Sequence, residues 1–266
     1  MPDIHPSAIV EPGAEIAEGA VIGPYCVVGP DVVLTDKVVL HAHVVIAGRT
    51  RIGAGTQIYP FASIGHPPQD LKYKGEPSEL VVGERNIIRE HVTMNPGTEG
   101  GGMVTRVGND CLFMTGAHVA HDCQVADHVI LANNAAIAGH VVIGEHAIVG
   151  GLSAVQQFTR IGRHAMIGGM TGVDQDVIPY GSAMGDRARL SGLNIIGLKR
   201  RGFSRDDIHA LRTAYRLLFA EEGTKIERLA DVGEMYSDND TVMEIVGFMS
   251  SDSPRGICQP HPDHQD

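Results

Sequence analysis

The sequence contains few aromatic residues and few positive charges. Aromatic residues make up 5% of its 266 residues and tryptophan is absent. This excludes a core built around large rings and leaves branched aliphatic and small side chains to fill it. Lysine and arginine total 21 against 32 aspartates and glutamates, a formal net charge of −11. Such a surface repels phosphate, so we expect no general binding to nucleic acid or to an anionic membrane.

Long apolar runs and paired cysteines are also missing. No apolar stretch reaches the length needed to span a membrane, and the N-terminal MPDIHPSAIV lacks the charged start and apolar segment of a signal peptide. The four cysteines, at positions 26, 111, 123 and 258, form no CxxC pair. We therefore expect a cytoplasmic protein without a membrane span and without disulfides.

The chain does contain a large apolar residue, nearly always aliphatic, at every sixth position. The series runs from Ile4 to Ile64, resumes from Val82 to Met94, and continues from Val107 to Val173. This period fits short strands joined by tight turns, three to a coil, so that residues 18 apart stack vertically. Small or β-branched residues, including three of the cysteines, mostly fill a second inward position four residues later. The pattern predicts a parallel β-helix with coils about 4.8 Å apart.

Two interruptions break this series. A stacked solenoid accommodates insertions only at its turns, so residues 65–81 (GHPPQDLKYKGEPSELV) and 95–106 (NPGTEGGGMVTR) are predicted to be external loops. The glycine run of the second loop is a poor strand former. The β-helix is predicted to cover residues 1–188.

The C-terminal region carries helical signals instead. Capping-box pairs occur at Ser204 with Asp207 and at Thr224 with Glu227. A third short apolar pattern of helical spacing follows, and the final ten or so residues are polar. Residues 189–266 are therefore predicted to form a small helical domain with a frayed tail.

Polar residues of the repeat gather at one corner of the predicted coils. In AHVAHDC, residues 117–123, His121 lies two positions after an inward valine, and Gly139 and Gln157 occupy the same point one and two coils later. The neighbouring polar residues of this corner are His118, Asp122, His140 and Gln156. Stacking therefore predicts that an imidazole, a glycine amide and a glutamine meet at one cleft.

Three chemistries fit this corner. His121 followed by Asp122 suits a general base whose tautomer is fixed by a carboxylate, provided that the backbone turns there, because adjacent strand residues point apart. A zinc site is the second possibility, as in γ-type carbonic anhydrases with three histidines across a subunit boundary. The third is a pair of ordinary turn histidines on a non-catalytic β-helix scaffold.

Five segments, in this order, resemble the UDP-N-acetylglucosamine O-acyltransferases of lipid A biosynthesis: IGHPPQDLKYKGEPSEL, the glycine loop, AHVAHDC, LANNAAIAGHV and NIIGLKRRGFS. The resemblance covers essentially the whole chain. It implies a mainly β fold, the left-handed parallel β-helix of hexapeptide-repeat acyltransferases, with a small α-helical C-terminal domain. It also implies transfer of an (R)-3-hydroxyacyl chain from acyl carrier protein to the 3-position of UDP-N-acetylglucosamine, by a homotrimer that uses no metal and no cofactor.

The resemblance also assigns roles to residues. His121 would be the general base, Asp122 would orient it, and the Gly139 amide would face the developing oxyanion. Substrate would be held by residues at seven positions, namely Asp70, Lys72, His118, His140, Gln157, Asn194 and Arg200. Lys199, Arg200, Arg201 and Arg205 form the densest basic cluster, a suitable dock for diphosphate or an acidic carrier protein, which Arg160 and Arg163 extend.

Three departures from the family pattern leave the sugar substrate open. Many relatives carry histidine at the positions of Asn95 and Gln156 and an acid at that of Ile196. Some members accept a sugar with a 3-amine in place of the 3-hydroxyl. Acyl length is also open, since Gly168 and Gly169 leave space in the groove that Met170 partly fills.

The alternative within the pathway is the N-acyltransferase that acts on UDP-3-O-acyl-glucosamine. That enzyme carries an extra N-terminal domain for the nucleotide, whereas the hexapeptide series here begins at Ile4. We therefore expect the O-acyltransferase.

Overall fold

Two-residue strands follow one another along the chain and pair with strands one coil further on. The computed structural model describes residues Met1–His261. In a typical pair, Ile130 lies beside Ile148 and Leu131 beside Val149, parallel and 18 residues apart. The strands form three sheets of 11, 9 and 8 members. The predicted parallel β-helix is confirmed.

Successive strands belong to the three sheets in turn. The first sheet contains β1 Asp3–Ile4, β4 Val21–Ile22, β7 Val39–Leu40, β10 Gln57–Ile58, β13 Ile87–Ile88, β16 Leu112–Phe113, β19 Ile130–Leu131, β22 Ile148–Val149, β25 Met166–Ile167, β27 Gly181–Met184 and β28 Arg189–Leu193. The second contains β2 Ile9–Val10, β5 Val27–Val28, β8 Val45–Ile46, β11 Ser63–Ile64, β14 Thr93–Met94, β17 His118–Val119, β20 Ala136–Ile137, β23 Ala154–Val155 and β26 Gly172–Val173. The third contains β3 Glu15–Ile16, β6 Val33–Leu34, β9 Arg49–Ile52, β12 Glu79–Val82, β15 Val104–Val107, β18 Gln124–Val125, β21 Val142–Ile143 and β24 Arg160–Ile161.

The core consists of the last residue of nearly every strand and of the small residue four positions later, just before the next strand. In β21, Ile143 is 1% exposed whereas its neighbour Val142 is 43% exposed. Ile4, also predicted to point inward, is 39% exposed, because it lies in the first coil and no coil covers it. Cys26, Cys111 and Cys123 are buried at the predicted inward positions, and all four cysteines are free.

The corners are closed by residues in the left-handed backbone region. Asp122, His140 and Phe158, one per coil at the same corner, have φ of 60°, 62° and 66°. This conformation is uncommon for residues other than glycine, and a single residue in it reverses the side-chain alternation of a strand. Neighbouring side chains at a corner can therefore lie on the same side of the backbone.

Both insertions leave the same corner, where the chain passes from the second sheet to the third. The predicted ends of both loops are wrong, because β12 begins at Glu79 and β15 at Val104. These strands pair with each other over four residues, and β12 also pairs with β9 over four. The β-branched residues at the end of each loop therefore extend the ladder.

The helical region begins later than predicted. A boundary at residue 188 divides an antiparallel hairpin, since β28 pairs with β27 at the end of the first sheet. The helices are α1 Ile195–Arg200, α2 Arg205–Leu218, α3 Lys225–Met235 and α4 Asp240–Ser250. Both predicted capping boxes, ahead of α2 and α3, are present. None of the described helices is long and apolar enough to cross a membrane.

The tail is ordered over part of the segment predicted to fray. Cys258 is fully buried, and its amide donates to the carbonyl of Asp176 at 2.8 Å. The Leu190 amide likewise donates to the carbonyl of Gln259 at 2.9 Å. The segment therefore covers the last coil, whose strand edge is otherwise unpaired. Residues 262–266 of the predicted tail lie outside the described residues.

Ile143 is buried and Val142 is exposed in the same strand, so truncating each residue should have very different effects on stability. Ile143→Ala should lower the free energy of unfolding by about 2–5 kcal/mol, because it leaves a cavity in the core. Val142→Ala, in the same strand but exposed, should change it by less than about 0.5 kcal/mol. Chemical denaturation of both variants measures the difference, and equal losses would contradict the assignment of inward positions.

Candidate active site

Three coils contribute to one corner between the second and third sheets. His121 and Asp122 lie between β17 and β18, and the Gly139–His140 pair occupies the same place one coil later. The amide of His140 donates to the carbonyl of His121 at 3.0 Å, and that of Phe158 donates to the carbonyl of Gly139 at 3.2 Å. The predicted stacking of residues 121, 139 and 157 is therefore present.

His121 and Asp122 form a buried hydrogen-bonded pair. The imidazole Nδ1 lies 2.8 Å from Oδ2 of Asp122, and the exposed fractions of the two side chains are 8% and 0%. The left-handed φ of 60° at Asp122 brings the two adjacent side chains together. Because a carboxylate oxygen only accepts, Nδ1 carries the proton, and Nε2 keeps a lone pair able to take a proton.

Gly139 lies directly against the His121 ring. A Cβ built on Gly139 would be 2.4 Å from Cε1 and 2.6 Å from Nε2 of His121, a distance that no side chain tolerates. Within residues 1–261, the Gly139 amide donates to no acceptor. A free N–H group therefore lies next to the basic nitrogen.

Two further histidines flank the pair. Nδ1 of His118 lies 2.7 Å from Oγ1 of Thr93. The ring of His140 meets that of His121 edge-on at 5.0 Å, and Nε2 of His140 lies 3.9 Å from Asp122. Burial lowers the pKa of both His118 and His140, and at His140 the charge of Asp122 opposes that effect. Burial therefore favours the neutral form of both rings, which can donate and accept hydrogen bonds.

The first insertion brings Asp70 and Lys72 to this corner. Oδ1 of Asp70 accepts from the Lys72 amide at 3.0 Å, and the charges of both residues act on the pKa of His140. Asn95 fixes the start of the loop by donating to the carbonyl of His66 at 2.9 Å. Asp70 is half-buried and the Lys72 side chain is exposed, so both can reach a ligand.

Gln157 lies at the same corner, one coil after Gly139. Its side chain is exposed, and its carbonyl accepts from Nε of Arg255 at 2.6 Å. Arg255 belongs to the tail that covers the last coil. Sequence reasoning missed this contact because 98 residues separate the partners.

Asn194 and Arg200 do not reach His121 within one chain. Asn194 caps α1 by accepting from the Gly197 amide at 3.1 Å, and it donates to the carbonyl of His164 at 2.9 Å. His164 lies at a different corner, between the third and first sheets. Arg200 is exposed at the end of the same short helix.

The basic cluster is smaller than predicted. Arg160 pairs with Asp176 at 2.7 Å, and Arg163 lies 3.3 Å from Glu145 and 3.6 Å from Glu244. These two guanidinium groups are neutralised within the chain, so they do not extend the cluster. Lys199, Arg200 and Arg205 form no ion pair within the described residues.

The corner fits a base better than a metal centre. His121, Asp122 and His140 lie close enough to share a cation. However, the Asp122 carboxylate already accepts hydrogen bonds from the Thr98 amide and hydroxyl at 2.8 and 2.6 Å, as well as from His121. A cation bound by all three residues would compete with these donors for the carboxylate and with Asp122 for the His121 ring. Thr98 was not predicted, since nothing in its local sequence indicates contact with residue 122.

The parallel β-helix of six-residue repeats places the chain among hexapeptide-repeat proteins, and the comparisons identify the transferases among them. A family model for the bacterial transferase hexapeptide matches residues 13–48 and 105–139. Another, described as UDP-N-acetylglucosamine O-acyltransferase, domain 2, matches residues 176–258.

Comparison with whole proteins narrows the class. The chain is 57% identical over 213 residues to the acyl-(acyl-carrier-protein)–UDP-N-acetylglucosamine O-acyltransferase of Caulobacter vibrioides, covering 80% of this chain and 81% of the relative. It is 49% identical to that of an Anaeromyxobacter species, covering 96% and 99%. The crystal structure of the enzyme from Moraxella catarrhalis superposes with a TM-score of 0.93 at 42% identity, covering 96% and 99%. The chain belongs to the UDP-N-acetylglucosamine O-acyltransferase family.

The surroundings of the flanking histidines predict their titration. His118 and His140 should titrate below the ordinary histidine value of about 6.5, because burial disfavours the charged ring. NMR of ¹³C-labelled histidine, assigned with His118→Gln and His140→Gln variants, measures both midpoints. The same resonances in denaturant give the reference, and folded midpoints at or above that reference would contradict the burial seen here.

Proposed function

We propose that this protein transfers an (R)-3-hydroxyacyl chain from acyl carrier protein to the 3-position of UDP-N-acetylglucosamine, the first step of lipid A biosynthesis. Membership of the family supports the reaction. The observation that carries the mechanism is the 2.8 Å contact between His121 Nδ1 and Asp122 Oδ2, beside a glycine amide. It leaves Nε2 of His121 as the basic atom.

The reaction needs no covalent enzyme intermediate and no cofactor. Nε2 of His121 takes the proton of the sugar 3-hydroxyl as that oxygen attacks the thioester carbonyl carbon. Asp122 stabilises the imidazolium that forms, and the Gly139 amide donates to the oxyanion. Collapse breaks the carbon–sulfur bond, and the departing thiolate takes the proton back from His121. The products are the 3-O-acyl sugar nucleotide and carrier protein with a free thiol.

The remaining corner residues are assigned to binding. Asp70 would accept hydrogen bonds from sugar hydroxyls, and Lys72 would neutralise a phosphate of the nucleotide or of the carrier. His118, His140 and Gln157 would line the sugar pocket. These assignments rest on the placement of all five residues around one corner.

The nucleotide site requires a second copy of the chain. Asn194 lies at another corner and Arg200 on the helix that it caps, so we assign their contact with the nucleotide to a neighbouring subunit. A cyclic homotrimer repeats such a contact three times. The homotrimer is therefore part of this proposal. The proposal also includes a cytoplasmic location and an acidic carrier as partner.

The acceptor atom is proposed to be oxygen. Asn95, a departure from the family pattern, is buried, and its side chain donates a hydrogen bond to the carbonyl of His66. It therefore shapes the first loop more than it contacts the sugar. Met170, beside Gly169, is 73% exposed within one chain, so acyl length is left to assay. Assays with 3-hydroxyl and 3-amino sugar nucleotides, each with carriers of several chain lengths, decide both points.

Loss of the base predicts a large loss of activity. His121→Ala should lower kcat for acyl transfer to UDP-N-acetylglucosamine by about 10²–10⁴-fold, the usual contribution of a general base. His43→Ala, exposed at another corner, is the matched control and should retain activity. Near-normal transfer by His121→Ala would refute the mechanism.

A site shared between subunits predicts complementation. His121→Ala and Arg200→Ala homotrimers should both be impaired, but subunits mixed in equal amounts should recover about a quarter of the sites, because each site draws the two residues from different chains. Activity after co-refolding or co-expression measures the recovery. Mixtures no more active than the separate variants would place both residues in one chain.

The rival functions give different results in simple assays. Stoichiometric zinc in the purified protein, lost with His121, would favour a γ-type carbonic anhydrase. Acyl transfer only to the 2-amine of a 3-O-acylated UDP-glucosamine would favour the N-acyltransferase. A scaffold would catalyse neither reaction.

A further inference from the structure

The glycine-rich second insertion contacts the carboxylate of Asp122. Between β14 and β15, the chain forms a short 3₁₀ turn at Glu99–Gly101, preceded by Thr98. Thr98 is 5% exposed although it lies in a loop. Both its amide and its hydroxyl donate to Asp122.

Thr98 donates a hydrogen bond to each oxygen of the Asp122 carboxylate. Its amide donates to Oδ1 of Asp122 at 2.8 Å, and its hydroxyl donates to Oδ2 at 2.6 Å. Oδ2 is the same oxygen that accepts from Nδ1 of His121 at 2.8 Å. The hydroxyl and the imidazole therefore share one acceptor, and the amide fixes the other oxygen, so that the carboxylate cannot rotate without breaking a charge-assisted hydrogen bond.

Gly101 provides the space for this arrangement. A Cβ on Gly101 would lie 2.0 Å from Cγ of Asp122 and 2.3 Å from each carboxylate oxygen. The adjacent Gly100 would meet nothing within 4 Å. Neither glycine has a left-handed φ, so alanine is sterically acceptable to the backbone at both positions. A side chain is excluded only at residue 101, where it would overlap the Asp122 carboxylate.

The same insertion is tied to the first one. The Glu99 amide donates to Oε1 of Glu76 at 3.1 Å, while Oε2 of Glu76 accepts from the Lys74 amide at 2.8 Å. The backbone of Asp122 is held separately, since its amide donates to Oγ1 of Thr105 at 2.7 Å. The loop contacts are therefore not needed to form the corner, but they set the orientation of the carboxylate.

We propose that Thr98 and Gly101 are positioning residues of the active site, which hold the Asp122 carboxylate so that it fixes His121 with Nε2 directed at the acceptor hydroxyl. The proposal rests on the acyltransferase function proposed above. It gives the second insertion a role in the chemical step and not only in substrate binding. Displacing the carboxylate should then lower kcat while leaving the affinity for both substrates intact.

Two adjacent alanine substitutions test the proposal. Gly101→Ala should lower kcat by about 100-fold, because it displaces the carboxylate that holds the base, whereas Gly100→Ala should leave kcat within about twofold of wild type. KM for UDP-N-acetylglucosamine and for acyl carrier protein should change little in either variant. Matching unfolding midpoints show that both variants fold.

A second pair of variants separates hydrogen bonding from packing. Thr98→Val keeps the shape but removes the hydroxyl donor, and kcat should fall by about tenfold to a hundredfold. Thr98→Ser restores the donor and should restore most of that loss. Recovery with serine is not expected from a residue that only fills space.

The outcomes distinguish this inference from the proposed function. A wild-type protein without acyl transfer would refute the function itself. An active wild type in which Gly101→Ala behaves like Gly100→Ala, or in which the variants raise KM alone, would refute the positioning role. A fall in kcat confined to Gly101→Ala and Thr98→Val, rescued by Thr98→Ser, would support it.

Discussion

The backbone hydrogen bonds between successive coils determine which residues of this protein meet. Each short strand pairs with the strand one coil away, so the vertical neighbour of a residue is set by the length of the coil and not by its own side chain. At most corners a single residue with left-handed φ then turns the chain. His121 and Gly139 are neighbours for this reason, and the close approach of ring and backbone is possible because residue 139 has no side chain.

The placement of the two insertions follows from the same constraint. Loops can leave the β-helix only at corners, and both leave the one that carries His121, in the two coils that precede it. The first brings Asp70 and Lys72 towards His140, and the second brings Thr98 to Asp122. The His121–Asp122 pair therefore receives its hydrogen-bond support from the two preceding coils, while the tail with Arg255 covers the following coil at Gln157. The regular coils determine where His121 and Asp122 lie, and the loops and the tail provide the polar contacts around them.

Features that depend on the repeat could be predicted from the sequence. The inward side chain of Ile143 and the stacking of residues 121, 139 and 157 follow from counting. Contacts that depend on the path of a loop or a tail could not, which is why Thr98 and the burial of Cys258 were missed. The strands at Glu79 and Val104 were missed because polar and glycine-rich segments precede them, and only pairing with neighbouring coils extends them. The resemblance to a family supplied the roles of Asn194 and Arg200, but only the structure separates them from His121.

Nε2 of His121 is proposed to be the base for the sugar hydroxyl. A crystal structure of the protein with UDP-N-acetylglucosamine bound tests this most directly. The 3-oxygen of the sugar should lie within about 2.6–3.2 Å of Nε2 of His121, with the diphosphate near Lys72 or near Arg200 of an adjacent subunit. A nucleotide sugar bound at a different corner, or a metal ion coordinated by Nε2, would contradict it.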